Sequence, residues 1–240
     1  MKFKNEYWVV IPARSGSKSI INKNIQLINN KPLIAYSLLA AKKNRHLKKI
    51  IFSSDSMKYF NIAKKYSNFF FHKRNKKISQ DNATEIKVLQ DFIKIYSKKN
   101  EFLPEFFVSF RPTSPIRYQK TINKALKIFK NKAKKYTSLR SVNVMSETSF
   151  KTHRIVEKKL CALEKKDFNI EKYNLPRQNY PKTYEGNNII DIYKTKNILN
   201  GSGLGNKVFP FIVNDINSDI DGLDDFEYVK YYVKKNKFKI

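Results

Sequence analysis

Tyr7-Trp8-Val9-Val10-Ile11-Pro12-Ala13-Arg14-Ser15-Gly16-Ser17-Lys18-Ser19 runs from a short apolar stretch, through a proline, into a turn of small and cationic residues. Apolar residues from Tyr7 to Ile11, stopped by Pro12, read as a buried strand. The run is far shorter than the roughly 20 residues a membrane helix needs, so neither a membrane span nor a secretory leader is expected. Downstream the same grammar repeats. Lys49–Ser53, Asn68–Phe71 and Phe106–Phe110 are further short strands. Between them lie amphipathic stretches: Leu33, Ile34, Leu38 and Ala41 after Pro32; Phe60 and Ala63 after a Ser56 cap; and Ile86, Leu89, Phe92, Ile93 and Tyr96 after a Thr84 cap. Ile122, Ala125 and Phe129 mark another helix. Strand, loop and helix in alternation predict an α/β fold, a mostly parallel sheet flanked by helices, with ligands taken at the strands' carboxyl ends.

After Ser138 the rhythm breaks. Residues 139–185 carry strand-like pieces and Pro and Lys clusters without a clean helix, and read as an irregular, hairpin-rich arm inserted in one domain spanning 1–240. The pattern resumes with strands at Ile189–Tyr193 and Lys207–Val213. A terminal helix then carries Leu223, Phe226, Val229, Tyr232 and Val233.

The chain has 240 residues, 41% of them hydrophobic, enough for a sizeable core. Its formal charge of +29 suits polyanions, and a basic RNA-binding protein on an α/β scaffold is the rival class. Lysine is spread over nearly every segment rather than gathered in a tail or helix, so nucleic acid is not the expected partner, though the charge helps draw in anionic substrates. His46, His72, His153 and Cys161 are scattered without zinc-ligand spacing. A single cysteine forms no internal disulfide, which suits a reducing cytoplasm, and no paired base marks Cys161 as a nucleophile.

Three polar stretches stand at strand ends. In Pro12–Asn24, small residues let backbone N–H groups approach phosphate oxygens while Arg14, Lys18 and Lys23 neutralise charge; the alternative is a surface turn in a Lys-rich chain. It lacks the Walker A spacing. In Asn217-Ser218-Asp219-Ile220-Asp221, carboxylates at i and i+2 of an extended segment share a side and suit a hard cation. Acids before the last helix also stabilise its N-terminus, and spacing alone favours that reading. Arg111-Pro112-Thr113-Ser114-Pro115-Ile116-Arg117 is a rigid polar loop or a plain proline turn.

Taken together and in order, these stretches resemble the acylneuraminate (sialic acid) cytidylyltransferase family across essentially the whole chain. The matching pieces are Ala13-Arg14 with Ser17, Lys18, Lys23 and Asn24; Lys31–Tyr36; Ser53-Ser54-Asp55; Asp81, Ala83 and Thr84; Arg111–Arg117; Pro176-Arg177-Gln178; and Ser218–Asp221. The resemblance implies a Rossmann-like nucleotidyltransferase that joins CMP from CTP to an acidic keto-sugar and releases pyrophosphate. It implies that Arg14, Ser17, Lys23, Asn24 and Thr84 hold CTP, that Asp219 and Asp221 bind Mg²⁺, and that Arg111, Lys151 and Arg177 serve the sugar acid. Arg14, Lys23 and Asp221 would carry catalysis. It further implies a homodimer in which the arm of one subunit helps cover the other's sugar site. A catalytically silent relative is the remaining alternative.

Three departures bear on specificity. Ser15 and Ser19 stand where the family has glycine, so the loop has negative φ there or accepts some strain. Arg111 replaces a glutamine and needs an anionic or carbonyl-rich partner, either the sugar or a protein acid such as Glu185. Thr183–Asn188 also differs from the family pattern. These changes leave triphosphate chemistry intact and open the sugar to legionaminate, pseudaminate or related acids.

Overall fold

The computed structural model describes residues 2–163 and 166–238. Its strands are β1 (Lys2–Pro12), β2 (Leu27–Ile28), β3 (Lys31–Pro32), β4 (Leu47–Ser54), β5 (Phe70–Lys73), β6 (Phe102–Ser109), β7 (Ser138–Val144), β8 (His153–Val156), β9 (Lys159–Ala162), β10 (Tyr184–Lys194) and β11 (Val208–Ile212). Its helices are α1 (Leu33–Lys43), α2 (Met57–Ala63), α3 (Glu85–Ser97), α4 (Gln119–Lys132), α5 (Thr195–Leu199) and α6 (Leu223–Lys235). Two compact units emerge, Met1–Ser141 with Asn187–Ile240, and Val142–Gly186.

A seven-stranded sheet in the order β11-β7-β10-β6-β1-β4-β5 organises the first unit. β1 pairs in parallel with β4 and β6, β4 in parallel with β5, and β10 runs antiparallel to β6. The apolar run of β1 is continuous because helices cover both faces. Val9 and Ile11 pack with Ile34 and Leu38 of α1 and Leu126 and Phe129 of α4. Trp8 and Val10 turn the other way, onto Leu89, Phe92 and Tyr96 of α3. Period-two alternation on a strand and 3.6-residue periodicity on the helices thus meet in two apolar layers.

Several local expectations hold at atomic detail. Ser56 caps α2, its Oγ accepting from Tyr59 N (3.3 Å), and Thr84 caps α3, accepting from Lys87 N (3.4 Å). Pro32 is the residue before α1 rather than its first turn. The third strand lies two residues later than expected, at Phe70–Lys73, because pairing with β4 sets Phe71 opposite Phe52 and His72 opposite Ser53. β7 was hidden in the segment read as arm. Its start belongs to the main sheet, and the second unit begins at Val142 rather than 139. No helix among the described residues is long and apolar enough to cross a membrane.

The second unit holds the β8/β9 hairpin, in which His153 faces Ala162 and Val156 faces Lys159. It also has 3-10 turns at Ser149–Lys151, Ile170–Tyr173 and Arg177–Asn179. Cys161 is buried there. Ile155, Leu160, Leu163, Phe168 and Leu175 remain exposed.

Candidate active site

The chain leaves β1 towards β4 and β5 on one side, while β6 returns to the other side of β1. Loops after β1 and β6 therefore part at the carboxyl end of the sheet and leave a crevice. A cavity of about 740 Å³ lies there, walled by the loops that follow β1, β5 and β6. Five cations (Arg14, Lys18, Lys23, Arg74, Arg111) face it against two carboxylates, Asp81 and Glu85. Such a balance favours a multiply charged anion.

Each motif loop sinks one isoleucine into a shared apolar cluster beneath α6. Ile20 comes from the first loop, Ile116 from the loop after β6, and Ile220 from the acidic loop, meeting Phe226, Val229 and Val233. Burying each side chain contributes about 1.5–3 kcal/mol. That packing anchors the three loops side by side at one end of the sheet.

Hydrogen bonds then set the first loop. Ser15 N and Oγ both donate to the Asp55 carboxylate, at 2.7 Å each. The serine at this position thus gains an anchor that glycine could not make, and Asp55 of the Ser53-Ser54-Asp55 stretch serves it. Ser15 and Ser19 keep negative φ; the left-handed positions are Gly16 (φ 74°) and Asn22 (φ 54°). Asn24 Nδ2 donates to Arg14 O (2.9 Å), so Asn24 shapes the loop from behind while also lining the cavity. The Arg14 guanidinium and the Lys18 ammonium each lie 2.6 Å from Asp81. Hydrogen bonding from Lys18 leads the interactions that hold this exposed carboxyl below its ordinary value.

Lys23 is buried, and its Nζ donates to Ile220 O (2.7 Å) and Asp221 O (3.2 Å). An ammonium has three donors, so one N–H remains for a ligand. Lys23 thereby ties the first loop to the acidic loop, which is further pinned by Ile220 N donating to Thr113 O (2.9 Å). Asp219 and Asp221 do not themselves line the cavity; Asp221 stands one hydrogen bond behind Lys23, and Ile220 between them is bound to both Lys23 and Thr113, which do line it. Burial alternates along Ser218 (buried), Asp219 (half-buried), Ile220 (buried) and Asp221 (exposed), the pattern of an extended segment with both carboxylates off the core side.

Asp219 accepts from Ser114 Oγ (3.0 Å) and from Asn188 Nδ2, whereas the Asp221 carboxylate makes no hydrogen bond or ion pair among the described residues. Capping at α6 falls instead to Asp225, whose Oδ2 accepts from Asp221 N (2.9 Å) and Gly222 N (2.8 Å). No cluster of three His, Cys, Asp or Glu side chains suited to a metal occurs among the described residues. A two-carboxylate pair still fits Mg²⁺, which keeps several waters and takes its other ligands from phosphates.

Arg111 finds a protein acid, but it is Glu85 rather than Glu185: Nε donates to Glu85 Oε2 at 3.2 Å. Burial works against the Arg111 charge, and Glu85, Tyr193 and Asp191 outweigh it, so the group stands above its ordinary value. Behind Arg111, Asp191 of β10 is almost fully buried, and its carboxyl is pushed up to about 6 by burial, with Arg140 (3.5 Å) opposing. Arg117 is buried and braces the loop after β6, donating to Ile189 O (2.7 Å), Arg111 O (2.6 Å), Asn188 O (3.0 Å) and Ser37 Oγ (3.1 Å). Burial lowers its pKa to about 9.

Arg14, Ser17, Lys23, Asn24, Thr84 and Arg111 are thus gathered in one cavity. Lys151 and Arg177 belong to the second unit. Lys151 ends the Ser149–Lys151 turn, and Arg177 Nη2 donates to Met145 O (2.8 Å) beside a separate hollow of about 420 Å³. The sequence reading missed Arg74 and Glu85. Arg74 carried no signal beyond being one cation in a basic chain. Glu85, next to the Thr84 cap, looked like an ordinary acid in a first helical turn.

The cytidylyltransferase family matches over residues 8–199. Post-translational flagellin modification protein B of Campylobacter coli is 28% identical over 98% of this chain and 98% of its own length. N-acylneuraminate cytidylyltransferase of Escherichia coli is 31% identical over 96% of this chain, which spans 53% of that protein. CMP-N,N'-diacetyllegionaminic acid synthase of Campylobacter jejuni is 28% identical over 95% of both chains. Among solved structures, CMP:2-keto-3-deoxy-manno-octonic acid synthetase complexed with CTP superposes with a TM-score of 0.68 at 14% identity, over 96% of this chain and 99% of that one. That likeness shows the shared α/β architecture.

Proposed function

Because the chain belongs to the cytidylyltransferase family, we propose that it transfers CMP from CTP to the anomeric hydroxyl of a nonulosonic acid and releases pyrophosphate. The observation that carries this reading is the cavity itself, where the Arg14–Asn24 loop, Arg74 and Arg111 converge at the carboxyl end of the parallel strands. The relatives supply the substrate class, since their names span acylneuraminate and legionaminate chemistry.

Arg14 and Lys18 share Asp81. Exposed pairs of this kind are worth little, so a triphosphate with several charges can take over both cations. Lys23 adds its remaining N–H from a buried position, where charge stabilisation is stronger than in water. The sugar hydroxyl attacks the α-phosphorus in line, and these groups offset the charge that builds on the phosphate oxygens and on departing pyrophosphate. Asp219 and Asp221 would hold Mg²⁺, which supplies further charge neutralisation at the phosphates when bound. Lys151 and Arg177 are retained as sugar-acid residues, the guanidinium suiting a planar carboxylate. Arg111, held along its Nε edge by Glu85, keeps its two Nη groups for substrate and is the residue proposed to set sugar preference.

The exposed apolar side chains of the second unit support a homodimer in which that segment meets a second copy. The test of the activity is a panel of eight- and nine-carbon keto-sugar acids incubated with CTP and Mg²⁺, following pyrophosphate. Release with at least one nonulosonic acid is expected. No release with any of them, together with salt-sensitive binding to polynucleotides, would replace this reading with a nucleic-acid-binding one.

A further inference from the structure

Arg74 follows β5 and lines the active-site cavity, yet it is buried and its Nη2 has no hydrogen-bond partner among the described residues. An orphaned, buried guanidinium N–H on a cavity wall is costly unless a ligand supplies the acceptor. What holds this guanidinium is a chain of three side chains from three elements. Arg74 Nε donates to Ser53 Oγ at 2.9 Å; Ser53 Oγ lies 2.9 Å from His72 Nδ1; and His72 Nε2 lies 2.9 Å from Asp91 Oδ2 on α3.

The proton order in this chain has one consistent solution. The Asp91 carboxylate can only accept, so Nε2 of a neutral His72 carries the hydrogen; Nδ1 then accepts from Ser53 Oγ, and Ser53 Oγ accepts from Arg74, which can only donate. His72 is then the Nε2–H tautomer and donates to Asp91. Burial lowers the His72 pKa, with Asp91 opposing and Arg74 reinforcing, which keeps the ring neutral as this order demands. The serine, histidine and aspartate look like a nucleophilic triad, but Ser53 is fully buried on β4 and its oxygen is occupied by Arg74. No substrate carbonyl or phosphorus can reach it.

We propose that Asp91, His72 and Ser53 are positioning residues, a relay that orients Arg74 so that its guanidinium meets an acceptor oxygen of the bound nucleotide. The inference rests on the CTP-dependent reading above. Its logic is that of a carboxylate fixing a histidine tautomer, here extended through a hydroxyl to a binding cation instead of a nucleophile.

Calorimetric titration of the whole chain with CTP tests it by a double-mutant cycle. Ser53→Ala should weaken CTP binding about tenfold, the usual effect of releasing one charge-assisted hydrogen bond. In an Arg74→Ala background the same change should have no further effect. Asp91 is partly exposed, with 24% of its side chain accessible, so Asp91→Ala serves the same cycle if Ser53→Ala fails to fold. An equal loss in both backgrounds marks a merely structural role and overturns the relay, as does no loss in the first. A wild-type protein that binds no CTP overturns the functional reading and the relay together, so the two failures are told apart by the first titration.

Discussion

The two units of the chain handle their cations in opposite ways. In the first, the cationic groups around the cavity are held before any ligand arrives: Lys23 by two carbonyls, Arg117 by four acceptors, Arg74 by Ser53, Arg111 by Glu85. In the second, Arg177 is exposed with a backbone carbonyl as its hydrogen-bond acceptor, on a short 3-10 turn beside exposed apolar side chains. Preorganised charge is what stabilises a transition state, because no reorganisation is needed at the moment of reaction. A loosely held cation instead suits recognition, where ordering on binding lowers affinity but permits variation in the ligand. In the proposed reading, phosphate chemistry falls to the braced unit, with Arg111 there setting sugar preference, and the lightly held Arg177 meets the sugar's carboxylate.

The sharpest challenge to this division is Asp221→Asn. The expected loss of turnover is about a thousandfold or more, with retained secondary structure by circular dichroism. EDTA should abolish wild-type activity; full activity in either experiment would remove the metal assignment.

Lys23→Ala should lower kcat/KM by about a hundredfold, whereas Lys234→Ala on the exposed side of α6 should be silent. Since Lys23 also grips the acidic loop through Ile220 O and Asp221 O, its effect and that of Asp221→Asn should be markedly non-additive. Full additivity would mean that the two loops act independently.

Asp191 tests how rigid the polar floor of the first unit is. Its folded pKa of about 6 stands above the ordinary 3.8, so the folded state holds the proton longer than the unfolded chain does. The associated stability is present below about pH 4 and is lost as pH rises through about 6, a fall of about 3 kcal/mol. Asp191→Asn should flatten that slope in urea unfolding measured from pH 4 to pH 8. Parallel profiles for the two proteins would show that Arg140 compensates the buried charge in full.

The smallest effect is expected in the second unit. Arg177→Lys should raise the KM for the sugar acid about tenfold and leave the KM for CTP unchanged, since lysine cannot make two parallel bonds to a carboxylate. Equal changes in both constants would break the proposed split between the units.

Much of the first unit was legible in residue order. Short apolar runs bounded by Pro, Ser and Thr gave the parallel strands and two correctly assigned caps, because those signals are local. The cavity residues Arg14, Ser17, Lys23, Asn24, Thr84 and Arg111 were picked out beforehand and do converge. Arg74 and His72 were not, since a lone Arg and a lone His in a Lys-rich chain carry no spacing signal, and their partners Ser53 and Asp91 lie 21 and 19 residues away. β7 was read into the irregular arm, because the boundary between the two units falls within the strand, after Ser141.

The sequence by itself determined the strand and helix alternation, the family, and which loops bear charge, because periodicity, capping and motif order are properties of neighbours along the chain. Only the tertiary structure decided how those charges are used. Glu85 rather than Glu185 became the partner of Arg111. Lys23 became the clasp between two loops 197 residues apart. The isoleucines of three separate loops met under α6. Each outcome depends on long-range packing that brings a buried polar atom to the acceptor able to satisfy it, and a buried donor takes the acceptor that the fold places within about 3 Å, whatever the distance in sequence.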